Sequence, residues 1–176
     1  KGEEKQIAEA RIKAADLQLA VALDLQTGKE LWTDALDLTE CTGIHRSHGE
    51  LMMMYKNGKL VLAGASGNGH YWDQFISGEF KQRKVSVVDA GTGQELWSRE
   101  ADYRIRPIMA GDTIIAEPWA YDLYTGKPKM RKHPTTGEET PWRFIRSGHH
   151  CGHVAATENI MFFRSASTAY YDLNKD

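Results

Sequence analysis

The sequence predicts an all-β fold: a partial β-propeller of four-stranded antiparallel blades, about three to four of them, behind a short N-terminal helix. Three observations predict it. The stretch "TGKELW" at Thr27–Trp32 returns as "TGQELW" at Thr92–Trp97. Short apolar strands end on an aspartate four times, at Asp24, Asp89, Asp122 and Asp172. Ahead of each later aspartate runs another short strand: "GKLVLAG" from Gly58, "GDTIIAE" from Gly111 and "ENIMFFR" from Glu158. Strand pairs repeated in this way suggest four-stranded units of about 40–50 residues, which stack as propeller blades.

In chain order, residues 1–16 form the helical segment, because Ile7, Ala10, Arg11 and Ala14 recur at helical spacing among Glu and Lys. Residues 17–176 form the propeller. In "VALDLQTGKELW" the strand ends at Asp24, Thr27-Gly28 turns the chain, and Trp32 follows on the outer strand. Gly28 supplies the positive φ, and the Asp24 carboxylate can bond backbone amides of the turn. "SVVDAGTGQELW" repeats this with Asp89, Thr92, Gly93 and Trp97. "WAYDLYTGKPKM" repeats Asp122, Thr125 and Gly126 but carries Met130 where the tryptophan belongs. "KMRKHPTTGEETPWRF" then reads as an irregular outer strand and loop with a solvated basic cluster. The fourth unit, "AYYDLNKD", stops before its turn. Such an arc exposes strand edges and calls for the remaining blades of a larger chain, or for self-association. A β-sandwich whose hairpins share one turn chemistry is the competing architecture.

Composition narrows the function classes. The chain has 176 residues, 41% of them apolar, and a net charge of −2 with both signs mixed. That argues against a nucleic-acid or anionic-membrane surface. No apolar run is long enough to span a bilayer. Neither a Gly-x-Ser-x-Gly nor a phosphate-cradling glycine loop is present.

In a propeller, the segments leading into the inner strands lie beside the channel mouth. Here they carry His45 and His48, then Arg104 and Arg106, then His149, His150, Cys151 and His153. This suggests a partly cationic floor suited to an anionic or hydroxyl-rich ligand; the competing reading is polar groups satisfying one another. In a strand, His149, Cys151 and His153 would share one side, a donor set apt for zinc or copper. Cys151 as a small buried apolar residue, or a Cys41–Cys151 disulfide, are the other readings. The insertion "GNGHYWDQFISGEF" would bring His70, Tyr71, Trp72, Asp73 and Phe75 over the mouth, or pack its own aromatics.

The segments "ALDLQTGKELW", "VVDAGTGQELW" and "AYDLYTGKPKM" resemble the repeat of the pyrroloquinoline-quinone-type β-propellers, roughly Ala-x-Asp-x-x-Thr-Gly-x-x-x-Trp. The resemblance covers most of residues 17–176 and implies that each tryptophan docks between neighbouring blades. It is similar to the bacterial secreted members that bind no quinone. It therefore implies a non-catalytic scaffold of the bacterial envelope, periplasmic or extracellular, that binds a protein or a small-molecule or carbohydrate ligand without a cofactor. The alternatives are a quinone-dependent alcohol or sugar dehydrogenase fragment, with quinone and calcium, and a metal site on His149, Cys151 and His153. The adjacent cysteine pair that holds the quinone in alcohol-oxidising members is missing from this sequence.

Overall fold

The computed structural model describes residues 19–41, 51–64, 76, 83–104, 106–144, 154–164 and 168–174. The helix expected over residues 1–16 lies outside them.

The described strands form successive antiparallel blades. The first unit is a hairpin of β1 (Leu19–Ala20) and β2 (Leu36–Asp37), with an inner bridge between Leu23 and Glu30 around the Asp24–Gly28 turn. A complete blade follows, in the order β3 (Leu51–Lys56), β4 (Lys59–Gly64), β5 (Lys84–Asp89), β6 (Glu95–Glu100). Asn57 and Gly58, both at positive φ, make the tight turn between β3 and β4. The next blade has β7 (Ile108–Ala110), β8 (Thr113–Ala116) and β9 (Trp119–Asp122). A hairpin of β10 (Met130–Lys132) and β11 (Glu139–Pro141) stands beside it. The last blade has β12 (Val154–Ala156), β13 (Ile160–Arg164) and β14 (Thr168–Asp172).

One point of the sequence plan changes. "GKLVLAG", "GDTIIAE" and "ENIMFFR" are the second strands of their blades. The first strands are β3, β7 and β12, which lie in the segments taken as approaches to the channel. They escape notice because "LMMMYK", "IMA" and "VAA" are short or lack polar alternation.

Alternation explains how the blades stack. Along β4 and β5, Val61 pairs with Val87 and Ala63 with Val85, on the side facing the next blade. There they meet Ile114, Ala116, Tyr121 and Leu123. The other side, with Leu60, Leu62 and Val88, meets Trp32, Leu38 and Cys41 of the first unit. The middle strands are therefore covered on both faces, which is why they read as nearly unbroken apolar runs. A third cluster joins Ala110 and Ile115 to Phe144, Met161 and Phe163. Each junction thus has its own core, the nearest-neighbour construction of a repeat protein.

Candidate functional site

The repeat motif builds one local device several times. Asp24 Oδ1 accepts bonds from the Gln26 and Thr27 amides and from Thr27 Oγ1, at 3.1, 2.7 and 2.7 Å. Asp89 does the same with Gly91 and Thr92, and Asp122 with Tyr124 and Thr125. These bonds hold the carboxyls of Asp24 and Asp89 below their ordinary range, with the Thr27 hydroxyl and the Thr92 amide as the leading causes. Burial pushes Asp122 up, but bonds from Lys129 and Thr125 outweigh it and the net direction is down. The glycine closing each turn donates back to the aspartate carbonyl at 2.8–2.9 Å.

Two of these turns are sockets for an indole. A Cβ at Gly93 would stand 2.7 Å from Cγ and Cδ2 of Trp32; one at Gly126 would stand 2.7 Å from Cδ2 of Trp97. Only glycine lets the ring lie that close, and its φ of 75° or 65° suits no other residue well. Trp32 Nε1 donates to Ala90 O at 3.0 Å, and Trp97 Nε1 to Leu123 O at 2.8 Å. Each acceptor directly follows the repeat aspartate of the next unit. The tryptophan of one blade is therefore latched onto the Thr-Gly turn of the next.

The third junction corrects the reading of Met130. After Lys129 the chain leaves the outer strand that follows β9, forms the β10–β11 hairpin, and returns at Trp142. Trp142 N donates to Lys129 O at 2.7 Å, closing the base of the excursion. Pro128 and Arg143 bridge to Tyr121 and Trp119 of β9, so the two halves of the outer strand flank one insertion. With Met130–Pro141 set aside, Trp142 directly follows Lys129 as Trp97 follows Leu96. Trp142, not Met130, stands at the repeat tryptophan position. Its plane is covered by the Arg131 guanidinium at 3.8 Å, and Arg131 Nη2 donates to Leu173 O at 3.1 Å. Leu173 directly follows Asp172, so an arginine makes the bond that an indole makes at the other junctions.

The inserted hairpin carries another turn of this kind. His133 Nδ1 accepts from the amides of Thr135 and Thr136 at 3.3 and 3.2 Å, and Gly137 N donates to His133 O at 2.8 Å. Gly137 has φ 71°. Histidine has taken the aspartate's place, and only the pair Thr136-Gly137 marks the turn in the sequence.

Of the channel-mouth candidates, Arg104 and Arg106 are described. Arg104 is 1% exposed and pairs through Nη2 with Glu117 Oε1 at 2.9 Å, Glu117 being 2% exposed. Its amide also donates to Glu117 O at 2.8 Å. Arg83 Nη1 donates to Tyr103 O at 2.6 Å, and Tyr103 Oη to Gly64 O at 2.8 Å. Burial pushes the Tyr103 phenol well up. These groups form a buried polar seam between the blades, where removing one partner of the ion pair costs about 3–5 kcal/mol. Arg106 is exposed and borders a cavity of about 10 Å³ beside Ile108, Ile115 and Phe144, room for about one water. His45, His48, His149, His150, Cys151 and His153 lie outside the described residues, as do His70, Tyr71, Trp72, Asp73 and Phe75 of the insertion. Cys41 is a buried free thiol, pushed up by burial, and Cys151, the other half of the disulfide reading, lies outside the described residues. Among the described residues no group of three His, Cys, Asp or Glu is placed to hold a metal, and no helix is long and apolar enough to cross a membrane.

Comparison with known proteins fits this construction. A family model described as outer membrane protein assembly factor BamB matches residues 20–132. No curated protein matches the chain. The crystal structure of BamB from Moraxella catarrhalis is similar with a TM-score of 0.43 and 13% identity, over 85% of this chain and 52% of that one. The chain thus spans about half the length of that structure. The matched segment contains both complete Asp-x-x-Thr-Gly-x-x-x-Trp copies, the two indole latches and the third turn at Asp122. The chain belongs to the family of pyrroloquinoline-quinone-like β-propeller repeat proteins represented by outer membrane protein assembly factor BamB.

Proposed function

We propose that the chain is a non-catalytic scaffold of the bacterial envelope, periplasmic or extracellular, which holds a protein of outer membrane assembly against its blade surfaces. The description of the matched family supports the cellular setting. The observation that carries the binding role is the outer face of the first unit. Leu19, Val21, Leu23 and Leu25 alternate along the segment from β1 into the Asp24–Gly28 turn and are all exposed, Leu25 fully, as is Leu31. The opposite face of that hairpin packs onto the next blade through Ala20, Ala22, Trp32 and Leu36. A contiguous apolar strip of this kind marks a contact surface.

The test uses the full-length protein in cells. A periplasm-dependent reporter fused to it becomes active, and a photo-cross-linker at Leu25 joins it to a second envelope protein. With the cross-linker kept at Leu25, Val21→Glu with Leu23→Glu lowers that cross-linking at least tenfold while the protein stays folded. A silent reporter would overturn the location. Cross-linking solely within its own polypeptide would show that the face packs against another blade, and would overturn the partner role of this face.

A further inference from the structure

A second surface lies between the blades. A groove of about 390 Å³ runs from the end of β6 to the outer part of the following blade. That volume falls within the usual range of ligand sites, roughly 300–1,000 Å³. Its walls are rings, Trp119, Tyr121, Trp142, Pro128 and Pro141, with the charged side chains of Arg99, Glu100 and Asp102 among the lining.

The polar groups of the groove are unevenly spent. Trp119 Nε1 already donates to Asp102 O at 3.0 Å. Pro128 and Pro141 have no amide hydrogen to give. Arg99 sits over the Tyr121 ring, 5.4 Å from its centroid. Tyr121 itself is 5% exposed, and its hydroxyl makes no hydrogen bond to any described residue. A buried phenol commonly finds a partner. This one lines the groove, and among the described residues its hydroxyl has no partner. Burial pushes it up to about 12, so it keeps its proton at neutral pH. The groove therefore offers ring walls with guanidinium groups over them, a hydroxyl donor, a guanidinium donor and two carboxylates, Glu100 and Asp102.

We propose that this groove binds a proline-rich, extended segment of a partner protein, with a basic residue of the segment meeting Glu100. Such a segment presents backbone carbonyls with few N–H groups, so it needs donors rather than acceptors. Its preformed polyproline II helix packs flat against aromatic rings at little entropic cost. The volume holds roughly one three-residue turn of that helix. The inference rests on the scaffold reading for its biological sense, but the groove stands by itself as a binding site.

The test is fluorescence anisotropy of the full chain with a labelled peptide of Pro-Pro-x-Pro core flanked by arginine. Its controls are the same peptide with every proline replaced by alanine, and a β-linked oligosaccharide. Saturable binding of the proline peptide is expected, at least tenfold tighter than the alanine control. Tyr121→Phe, which keeps the ring in the core, weakens binding about threefold to tenfold, the size of one lost hydrogen bond. Glu100→Gln weakens the arginine-flanked peptide and leaves an unflanked one unchanged. Equal affinity for the alanine control, affinity for the oligosaccharide alone, or no response to Tyr121→Phe would each overturn the proposal. Peptide failure with the envelope cross-link at Leu25 intact removes the groove assignment and leaves the scaffold reading standing.

Discussion

The two indole junctions and the third junction solve one problem in different ways. Trp32 and Trp97 each fill a glycine socket in the next blade and donate to the carbonyl behind the repeat aspartate. At the third junction the same carbonyl position, on Leu173, takes its bond from Arg131, which lies flat on Trp142. The difference follows from the hairpin inserted directly before Trp142, which brings Arg131 onto the ring. A planar guanidinium can stack on an indole and donate at once, which an ammonium does far less well. The latch is therefore a geometric requirement on a carbonyl and an apolar plate, and more than one residue set meets it.

Breaking the latches gives the largest expected effect. Trp32→Ala or Trp97→Ala removes a large ring from a junction core and strands a carbonyl, at a cost of about 3–5 kcal/mol in urea unfolding. Trp142→Ala should cost less, because Arg131 remains to bond Leu173. Equal losses at all three sites would refute the division of labour at the third junction.

The glycine sockets sharpen the comparison. Gly93→Ala and Gly126→Ala both strain a positive φ and drive a methyl into an indole, so about 2–3 kcal/mol is expected. At Gly28 and Gly137 no atom lies within 4 Å of the added carbon among the described residues, so only the backbone cost of about 1 kcal/mol applies. Thermal unfolding of the four variants, ranked in that order, checks it.

Excision of Met130–Pro141, joining Lys129 to Trp142, asks whether the hairpin is an insertion. The blade should survive, with a loss of about 1–2 kcal/mol from the Arg131 contacts. Loss of the β signal in circular dichroism would show instead that the hairpin is part of the blade.

Acid gives the smallest effect. The Asp122 carboxyl titrates lower folded than unfolded, so its contribution is complete above about pH 4 and is lost as pH falls through its folded value. Asp122→Asn should flatten the fall in melting temperature below about pH 4. A parallel fall in both proteins would rule out this turn as a source of acid sensitivity.

Much of the architecture was legible because its signals are local. The bonds of the Asp24, Asp89 and Asp122 turns all lie within a few residues, so a short string of letters carries them. The copy at His133 was missed because a ring nitrogen can accept the same amides as a carboxylate, and the letter differs. Arg104 was legible as a candidate but not as an ion pair, since Glu117 meets it across the sheet. The burial of Cys41 and of Tyr121 likewise depends on what packs around them.

Sequence alone determined the turn chemistry, the all-β class, and the identity of Trp32 and Trp97 as repeated plates. Tertiary structure decided which strand opens each blade, which carbonyl receives each indole, and that Trp142 rather than Met130 holds the third position. The reason is physical: a turn closes on its own neighbours, whereas a latch closes on the next blade, and an inserted hairpin shifts the numbering without shifting the place in space.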